Sequence, residues 1–133
     1  MLNCLTRSAK IYIGDDVGLS GVIVSCAVSI NIGSRVIIGA NTTLSDTDSH
    51  PINYKSRQPK YFDIDAVNSQ LQVGTKKIII EDDVFIGMHC LILKGAHIGR
   101  GSVIAAGSIV TGKIPPNVIA AGSPAKVIKS IKL

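Results

Sequence analysis

An aliphatic residue recurs at every sixth position through the second half of this chain. The pattern is clearest at Ile80, Ile86, Ile92, Ile98, Ile104 and Val110. The same phase occurs earlier at Ile32, Ile38 and Leu44, and a one-residue slip separates it from Ile13 and Leu19. A six-residue period fits neither a helix nor long strict alternation, whereas a short strand followed by a tight bend produces it. The period therefore predicts a parallel β-helix, in which each coil buries the aliphatic residues of the next.

The composition agrees with a core of stacked aliphatic layers. The 133 residues are 46% hydrophobic, but only 4% are aromatic and none is Trp. A conventional core draws on large rings, whereas β-branched side chains pack well on the pleated surface of stacked strands. Glycines at the second position of several six-residue units suit tight bends: Gly33, Gly39, Gly87 and Gly99. We expect one mainly β domain covering residues 1–133.

Two segments interrupt the repeat. Residues 51–79 contain prolines, charges and three of the five aromatic residues, Tyr54, Tyr61 and Phe62, so we interpret them as a long excursion loop. A loop of this length is usually functional or disordered. Residues 113–133 are expected to form a C-terminal cap, because Pro115 and Pro116 should end the coil. In this cap Val127, Ile128 and Ile131 would cover the open core as a short helix or a strand.

Charge and cysteine content limit the partners and the compartment. The net charge of +5 favours an anionic partner, but the aromatic residues are not interleaved with the basic ones, so we do not predict nucleic-acid binding. No apolar run approaches the roughly 20 residues of a membrane span. Three scattered cysteines suit a reducing compartment, and the N-terminal residues lack the apolar segment of a signal peptide. We therefore expect a cytoplasmic protein.

Three motifs together resemble the hexapeptide-repeat acyltransferases: the six-residue units, His50-Pro51-Ile52, and the ending AGSPAKVIK at 121–129. Within that superfamily the chain is most similar to the galactoside and maltose O-acetyltransferases and to acetyltransferases of polysaccharide biosynthesis. The resemblance implies a left-handed parallel β-helix, a homotrimer with active sites between neighbouring subunits, and acetyl-CoA as the cosubstrate. It also implies acetyl transfer to a hydroxyl, or an amine, of a sugar-type acceptor.

The resemblance places the catalytic base at His50. Acetyl transfer needs a group that takes the proton of the attacking hydroxyl, and histidine suits this role at neutral pH. If the segment is extended, alternation puts Asp46, Asp48 and His50 on one side. A carboxylate could then orient the imidazole, and Asp48 is the candidate. The alternatives are a histidine in a surface turn and a solvated pair of aspartates.

The resemblance also carries the cofactor contacts onto six positions: Met88, Ala106, Thr111, Gly112, Lys126 and Lys129. Backbone groups of Ala106 and Gly112 would bind the pantetheine arm, and the two lysines would meet phosphate charge unless they belong to a solvated basic tail. Family members often have Lys at the position of Gly112.

For the acceptor, Ser20 matches an Asn of the galactoside branch, and Tyr54 lies in the excursion just after His50. Residues 25–27 contain no carboxylate where that branch has one. We therefore do not predict galactoside or maltose as the acceptor.

The remaining histidines and cysteines leave other functions open. His89 and Cys90 are neighbours and cannot form a nucleophile pair on a strand; Cys90 fits a small core position, and His89 falls near the cofactor cleft of the family. His97 is expected to be exposed in a bend. One alternative function is a zinc hydratase resembling the gamma-type carbonic anhydrases, although we predict no metal site. Another is a β-helix that binds without catalysis.

Overall fold

A computed structural model describes residues 1–57 and 73–133. The described residues form sixteen strands, arranged in five coils. The first coil consists of β1 (Leu2–Cys4), β2 (Lys10–Ile13) and β3 (Gly18–Leu19), and the second of β4 (Ile23–Cys26), β5 (Ser29–Ile32) and β6 (Ile37–Ile38). The third consists of β7 (Thr43–Ser45), β8 (Ile78–Ile80) and β9 (Phe85–Ile86), and the fourth of β10 (Leu91–Leu93), β11 (His97–Ile98) and β12 (Val103–Ile104). The fifth consists of β13 (Ile109–Val110), β14 (Lys113–Ile114) and β15 (Val118–Gly122), followed by β16 (Ala125–Ser130).

The strands stack into three sheets that form the sides of a prism. Sheet A has the order β1-β4-β7-β10-β13, sheet B has β14-β11-β8-β5-β2, and sheet C has β16-β15-β12-β9-β6-β3. Pairing is parallel throughout except between β15 and β16. This is the predicted fold class, a left-handed parallel β-helix. Within the described residues there is no helix long and apolar enough to cross a membrane.

The six-residue period builds the core because equivalent positions of successive coils pair in register. On sheet A, Val24 lies opposite Leu44, Leu44 opposite Ile92, and Ile92 opposite Val110. All four side chains are buried, and none of the buried core residues that the structure describes is aromatic. Each buried Leu or Ile contributes about 1.5–3 kcal/mol of transfer free energy. The interpretation of aliphatic layers is confirmed.

Close stacking, rather than left-handed backbone, explains the glycines at the second position of the units. A Cβ on Gly87 would lie 2.7 Å from the backbone nitrogen of Ala106 in the next coil. The left-handed residues lie two positions further on, for example His89 with φ 54° and Gly101 with φ 72°. Small buried side chains complete the bends: Thr42 Oγ1 donates to the carbonyl of Gly87 over 2.9 Å and accepts from the Cys90 amide over 3.2 Å.

The C-terminal boundary of the excursion lies before Ile78, whereas the prediction placed it at residue 79. β8 already pairs with β5 and β11 from Ile78 onward, so the chain leaves the coil after Ser45 and rejoins it at Ile78. The three consecutive isoleucines at 78–80 alternate between buried and half-buried positions, as a coil strand requires. Tyr61 and Phe62, which we predicted to lie in the excursion, are outside the described residues.

The C-terminal boundary also differs from the prediction. β14 and β15 pair in parallel with β11 and β12, so the coil continues past Pro115 and Pro116. Proline is tolerated because it lies in the bend between two strands. There Ser102 Oγ donates to the Pro115 carbonyl over 2.6 Å and accepts from the Val118 amide over 3.1 Å.

The strand that follows does not cover the core as predicted. β16 folds back antiparallel on β15 and extends sheet C, so Val127 and Ile128 are 48% and 64% exposed. Ala125, at the start of β16, is the residue of this strand that packs against the core. Val127 and Ile128 therefore do not cap the coil. Ile131, the third predicted capping residue, is half-buried, and its amide donates to the Asn117 carbonyl over 2.8 Å.

Candidate functional site

Three edges run along the prism where the sheets meet, and each is built from bends of successive coils. Among the described residues, the A/B edge contains 5–9, 27–28, 46–57, 73–77, 94–96 and 111–112. The B/C edge contains 14–17, 33–36, 81–84, 99–102 and 115–117, and the C/A edge contains 20–22, 39–42, 87–90 and 105–108. The excursion leaves the A/B edge in the third coil. The predicted site residues fall mainly on the A/B and C/A edges.

His50 lies on the A/B edge, at the start of the excursion, and is half-buried. The expected extended strand up to His50 is not present. β7 ends at Ser45, Thr47 forms an isolated bridge to Thr75, and Ser49 has a left-handed φ of 65°. Simple alternation therefore does not place Asp46, Asp48 and His50 on one side.

Asp46 is fully buried and holds the neighbouring bend of the second coil. Its carboxylate accepts backbone N–H bonds from Ala27 at 2.6 Å, from Val28 at 2.8 Å and from Ser29 at 2.8 Å. The Cys26 thiol lies 3.5 Å from the same carboxylate, and burial, followed by Asp46, raises the pKa of that thiol to about 11. This carboxylate is not solvated, and backbone N–H donors bind both of its oxygens. The sequence indicates the burial of Asp46, because side chains two positions apart on a strand face the same side and Leu44 faces inward.

Asp48 pairs with a residue that sequence reasoning missed. Its Oδ1 lies 3.1 Å from Nζ of Lys94, which comes from the bend of the next coil. Its Oδ2 is buried and has no hydrogen-bond partner among the residues that the structure describes. No motif in the sequence distinguishes Lys94 from a lysine on a solvated bend. The structure thus brings Asp48 to a cation of the A/B edge.

The two ends of the excursion are joined by backbone hydrogen bonds, and we call residues 46–48 with 74–76 the neck. The Asp48 amide donates to the Gly74 carbonyl over 2.8 Å, and the Lys76 amide donates to the Asp46 carbonyl over 3.0 Å. The Lys76 carbonyl accepts from the Gly95 amide over 3.2 Å, which fixes the neck to the fourth coil. His50 follows the neck by two residues, so its backbone starts from a defined position.

Two of the predicted cofactor residues lie further along the A/B edge. Thr111 and Gly112 form the bend of the fifth coil, and both are exposed. The Gly112 carbonyl accepts from the His97 amide over 3.1 Å, and a Cβ on Gly112 would meet no atom within 4 Å. The edge is therefore open above Lys94, in the direction away from the excursion.

The C/A edge holds Ser20, Met88 and Ala106, in the first, third and fourth coils. All three are exposed, and Met88 is 51% accessible. His89 is exposed in the same bend as Met88, whereas Cys90 is fully buried, which agrees with its predicted packing role.

The two predicted phosphate-binding lysines lie on β16. Lys126 is paired with Ala121 and Lys129 with Ile119, and both side chains are exposed on the terminal strand of sheet C. Lys126 is therefore close to the end of the C/A edge. Tyr54, the candidate acceptor contact, is 66% exposed in the excursion.

One copy of the chain does not bring all predicted residues together. Sheet A lies between the edge that carries His50 and the edge that carries Met88 and Ala106. A ligand contacting both groups must therefore lie between two copies or bridge the width of sheet A.

His97 and the remaining ion pairs of the described residues lie outside these two edges. His97 belongs to β11 of sheet B rather than to an exposed bend, and its Nε2 lies 2.6 Å from Oε2 of Glu81, the residue that follows β8. On the B/C edge, Arg35 lies 2.6 Å and Arg100 3.1 Å from the Asp83 carboxylate. The hydrogen bond from Arg35 is the main cause of the lowered pKa of Asp83. Within the described ranges, no three His, Cys, Asp or Glu side chains group as metal ligands would.

The fold and the repeat define a hexapeptide β-helix. Residues 77–112 match the family model described as the hexapeptide repeat of succinyl-transferase. The galactoside O-acetyltransferase of Escherichia coli (strain K12) is 43% identical over 103 residues, which is 77% of this chain and 45% of that protein. The predicted resemblance to the hexapeptide-repeat acyltransferases is therefore confirmed.

Solved structures give the same result over almost the whole chain. A hexapeptide-repeat acetyltransferase of Vibrio cholerae O1 biovar eltor, complexed with acetyl-CoA, superimposes with a TM-score of 0.77 at 34% identity; 96% of this chain and 62% of that chain are covered. A galactoside acetyltransferase in complex with coenzyme A gives a TM-score of 0.73 at 34% identity, covering 92% and 56%. This chain spans less than half the length of the E. coli enzyme.

Proposed function

We propose that the protein is an acetyl-CoA-dependent acetyltransferase that acetylates a hydroxyl of a sugar or sugar-derived acceptor, with His50 as the general base. The observation that carries the proposal is the position of His50, at the root of an excursion on an open edge of a β-helix. Support comes from two similar acetyltransferase structures that contain acetyl-CoA or coenzyme A. The galactoside enzyme supports a sugar-type acceptor.

The proposed active site lies between two copies, where the A/B edge of one faces the C/A edge of the next. This arrangement unites His50 with Met88 and Ala106, which sheet A separates within one copy. Joining two different edges is a head-to-tail contact, which closes into a ring when the rotation allows it. A homotrimer is the ring that we propose. Apolar side chains exposed on sheets A and C would be covered by it: Ile23, Ile37, Phe85 and Leu91.

In the proposed reaction, the acceptor hydroxyl attacks the carbonyl carbon of the thioester while the His50 imidazole takes the hydroxyl proton. A bond forms between the acceptor oxygen and the carbonyl carbon, and the bond from that carbon to sulfur breaks. The proton on the imidazole then passes to the departing thiolate of coenzyme A. Asp48 contributes to this site through the placement of the neck, since its Oδ1 is paired with Lys94.

The cofactor contacts follow the two edges. Met88 and Ala106 would line the pantetheine arm from the C/A edge, and Thr111 and Gly112 from the A/B edge. A Cβ on Gly112 would meet no atom within 4 Å, so the space beside it is open, and the adjacent Lys113 begins β14 on sheet B. Lys126 and Lys129, both exposed on β16, would meet the phosphates.

The acceptor would lie beside His50, between Tyr54 of the excursion and Ser20 on the C/A edge of the adjacent copy. Both side chains are exposed and carry a hydroxyl that can donate or accept a hydrogen bond. Cytoplasmic location is also part of the proposal, because Cys4, Cys26 and Cys90 are all free thiols.

The proposal is tested by replacing His50 with Ala and measuring CoA release by a free-thiol assay, over a panel of neutral, amino and acidic sugars. We expect turnover to fall by about 10²- to 10⁴-fold, as for loss of a general base, with acetyl-CoA binding and the oligomer unchanged. His97→Ala is the matched control, because His97 lies on β11 of sheet B, outside both edges of the proposed site. Native turnover in the His50 variant, or a native protein that does not bind acetyl-CoA, would contradict the assignment.

A further inference from the structure

The Asp48 and Lys94 pair joins the excursion to the coil directly beside the proposed base. Asp48 lies in the neck, two residues before His50, and Lys94 lies in the bend of the fourth coil. Their charged atoms are 3.1 Å apart, and the two side chains are 27% and 38% exposed. A pair that is only partly accessible is screened less by solvent than a fully exposed one.

The neck is packed tightly around this pair. A Cβ on Gly74 would collide with Asp48 Oδ2 and would lie 3.1 Å from Cε of Lys94. A glycine at position 74 is therefore required for the carboxylate and the lysine stem to share this space. The buried Asp48 Oδ2 has no hydrogen-bond partner among the described residues, so Lys94 supplies the charge that compensates this carboxylate.

A second anchor lies on the other side of the same strand end. Asp46 is fixed by three backbone N–H groups of the second coil, whereas Asp48 is fixed by Lys94 of the fourth coil. The third-coil segment that leads to His50 is thus held from the coil on each side. Asp46 fixes the point at which the chain leaves the core. Lys94 fixes Asp48, which lies two residues before His50.

We propose that Lys94 is a positioning residue for the transfer reaction: it sets the location of His50 by holding Asp48. This inference rests on the proposed function, because it takes His50 as the base. It assigns to Asp48 an ion pair with Lys94. In this role Lys94 acts through Asp48 and not on the reacting atoms, so we expect its removal to lower kcat without weakening acetyl-CoA binding.

The test compares Lys94→Met, Lys94→Arg, Asp48→Asn and the double variant Asp48→Asn/Lys94→Met. Turnover is measured with acetyl-CoA and the sugar of the panel that gives the fastest CoA release. We expect Lys94→Met to lower kcat roughly tenfold, since small displacements of a catalytic group are costly, and to leave the KM for acetyl-CoA within about twofold. Lys94→Arg should restore most of kcat. The double variant should be no slower than Asp48→Asn, because paired residues are not additive.

A control and a second readout separate positioning from a general loss of stability. Arg35→Met removes an ion pair of the B/C edge, which is a different edge from the one that carries His50, and should leave kcat unchanged. Amide hydrogen exchange should accelerate in Lys94→Met at Asp48 and Lys76, whose amides close the neck, and stay unchanged at the Asp46-bound amides of 27–29.

The outcomes are distinguishable. If His50→Ala abolishes turnover while Lys94→Met is as fast as the native protein, the Lys94 inference is wrong and the proposed function stands. Failure of Lys94→Arg to restore kcat, or additive losses in the double variant, would also overturn it. If His50→Ala remains active, the base assignment fails and the Lys94 inference falls with it.

Discussion

Asp46→Asn tests how the excursion is attached to the coil. The native carboxylate accepts three backbone N–H bonds of 2.6 to 2.8 Å and is fully buried. Hydrogen bonds to a charged group contribute about 1.5–3 kcal/mol each. Asn keeps one carbonyl acceptor but turns its NH₂ group toward an N–H donor, so at least one donor loses its partner. We expect a loss of about 2–4 kcal/mol in the free energy of unfolding.

Urea unfolding measures this loss, with all variants at the same protomer concentration because association would contribute to stability. With a slope of about 2 kcal/mol per molar urea, the midpoint should fall by roughly 1–2 M. The matched control is Asp15→Asn, on an exposed bend of the B/C edge, which should change stability by less than about 0.5 kcal/mol. An Asp46→Asn variant as stable as this control would refute the anchoring role.

Two further predictions concern coil stacking and the thiols. Gly87→Ala should destabilise the fold by about 1–3 kcal/mol in thermal unfolding, because the new Cβ would lie 2.7 Å from the Ala106 nitrogen. Gly112→Ala is the control, because a Cβ there has free space and should not destabilise the fold. Equal melting temperatures of the two variants would contradict the stacking argument. A thiol reagent at pH 8 should label exposed Cys4 and leave Cys26 unreacted in the native protein. Burial raises the pKa of Cys26 in the folded protein from 9.0 to about 11. The protonated thiol therefore stabilises the fold fully below pH 9, and this contribution is lost as the pH rises toward 11. A free energy of unfolding that stays constant across that range would contradict this pKa.

The coil could be predicted from the sequence because each layer repeats the same local rule. Ile80, Ile86 and Ile92 occupy equivalent inward positions, and a six-residue period fixes both the strand and the bend. The ends of the irregular segments were harder to predict. Pro115 and Pro116 look like a stop, yet they fall between β14 and β15, where a bend needs no strand N–H.

Sequence motifs identified the candidate site residues, but they did not indicate what those residues contact. The motif around His50 identified the candidate base, whereas the partner of Asp48 comes from the next coil, 46 positions further along the chain. Such a contact depends on coil register and on the length of the intervening excursion, which the period does not specify. Likewise, no motif indicates that Met88 and Thr111 lie on different edges.

Subunit complementation tests the central claim most directly. His50→Ala and Ala106→Trp each damage one edge, the first by removing the base and the second by obstructing the cofactor position. Co-expressed with different tags and isolated as hybrids, the two inactive variants should form trimers in which one site of three combines intact edges. We predict about one-third of the native CoA release per hybrid trimer. Hybrids that assemble but remain inactive would contradict an acetyl-transfer site built between two copies.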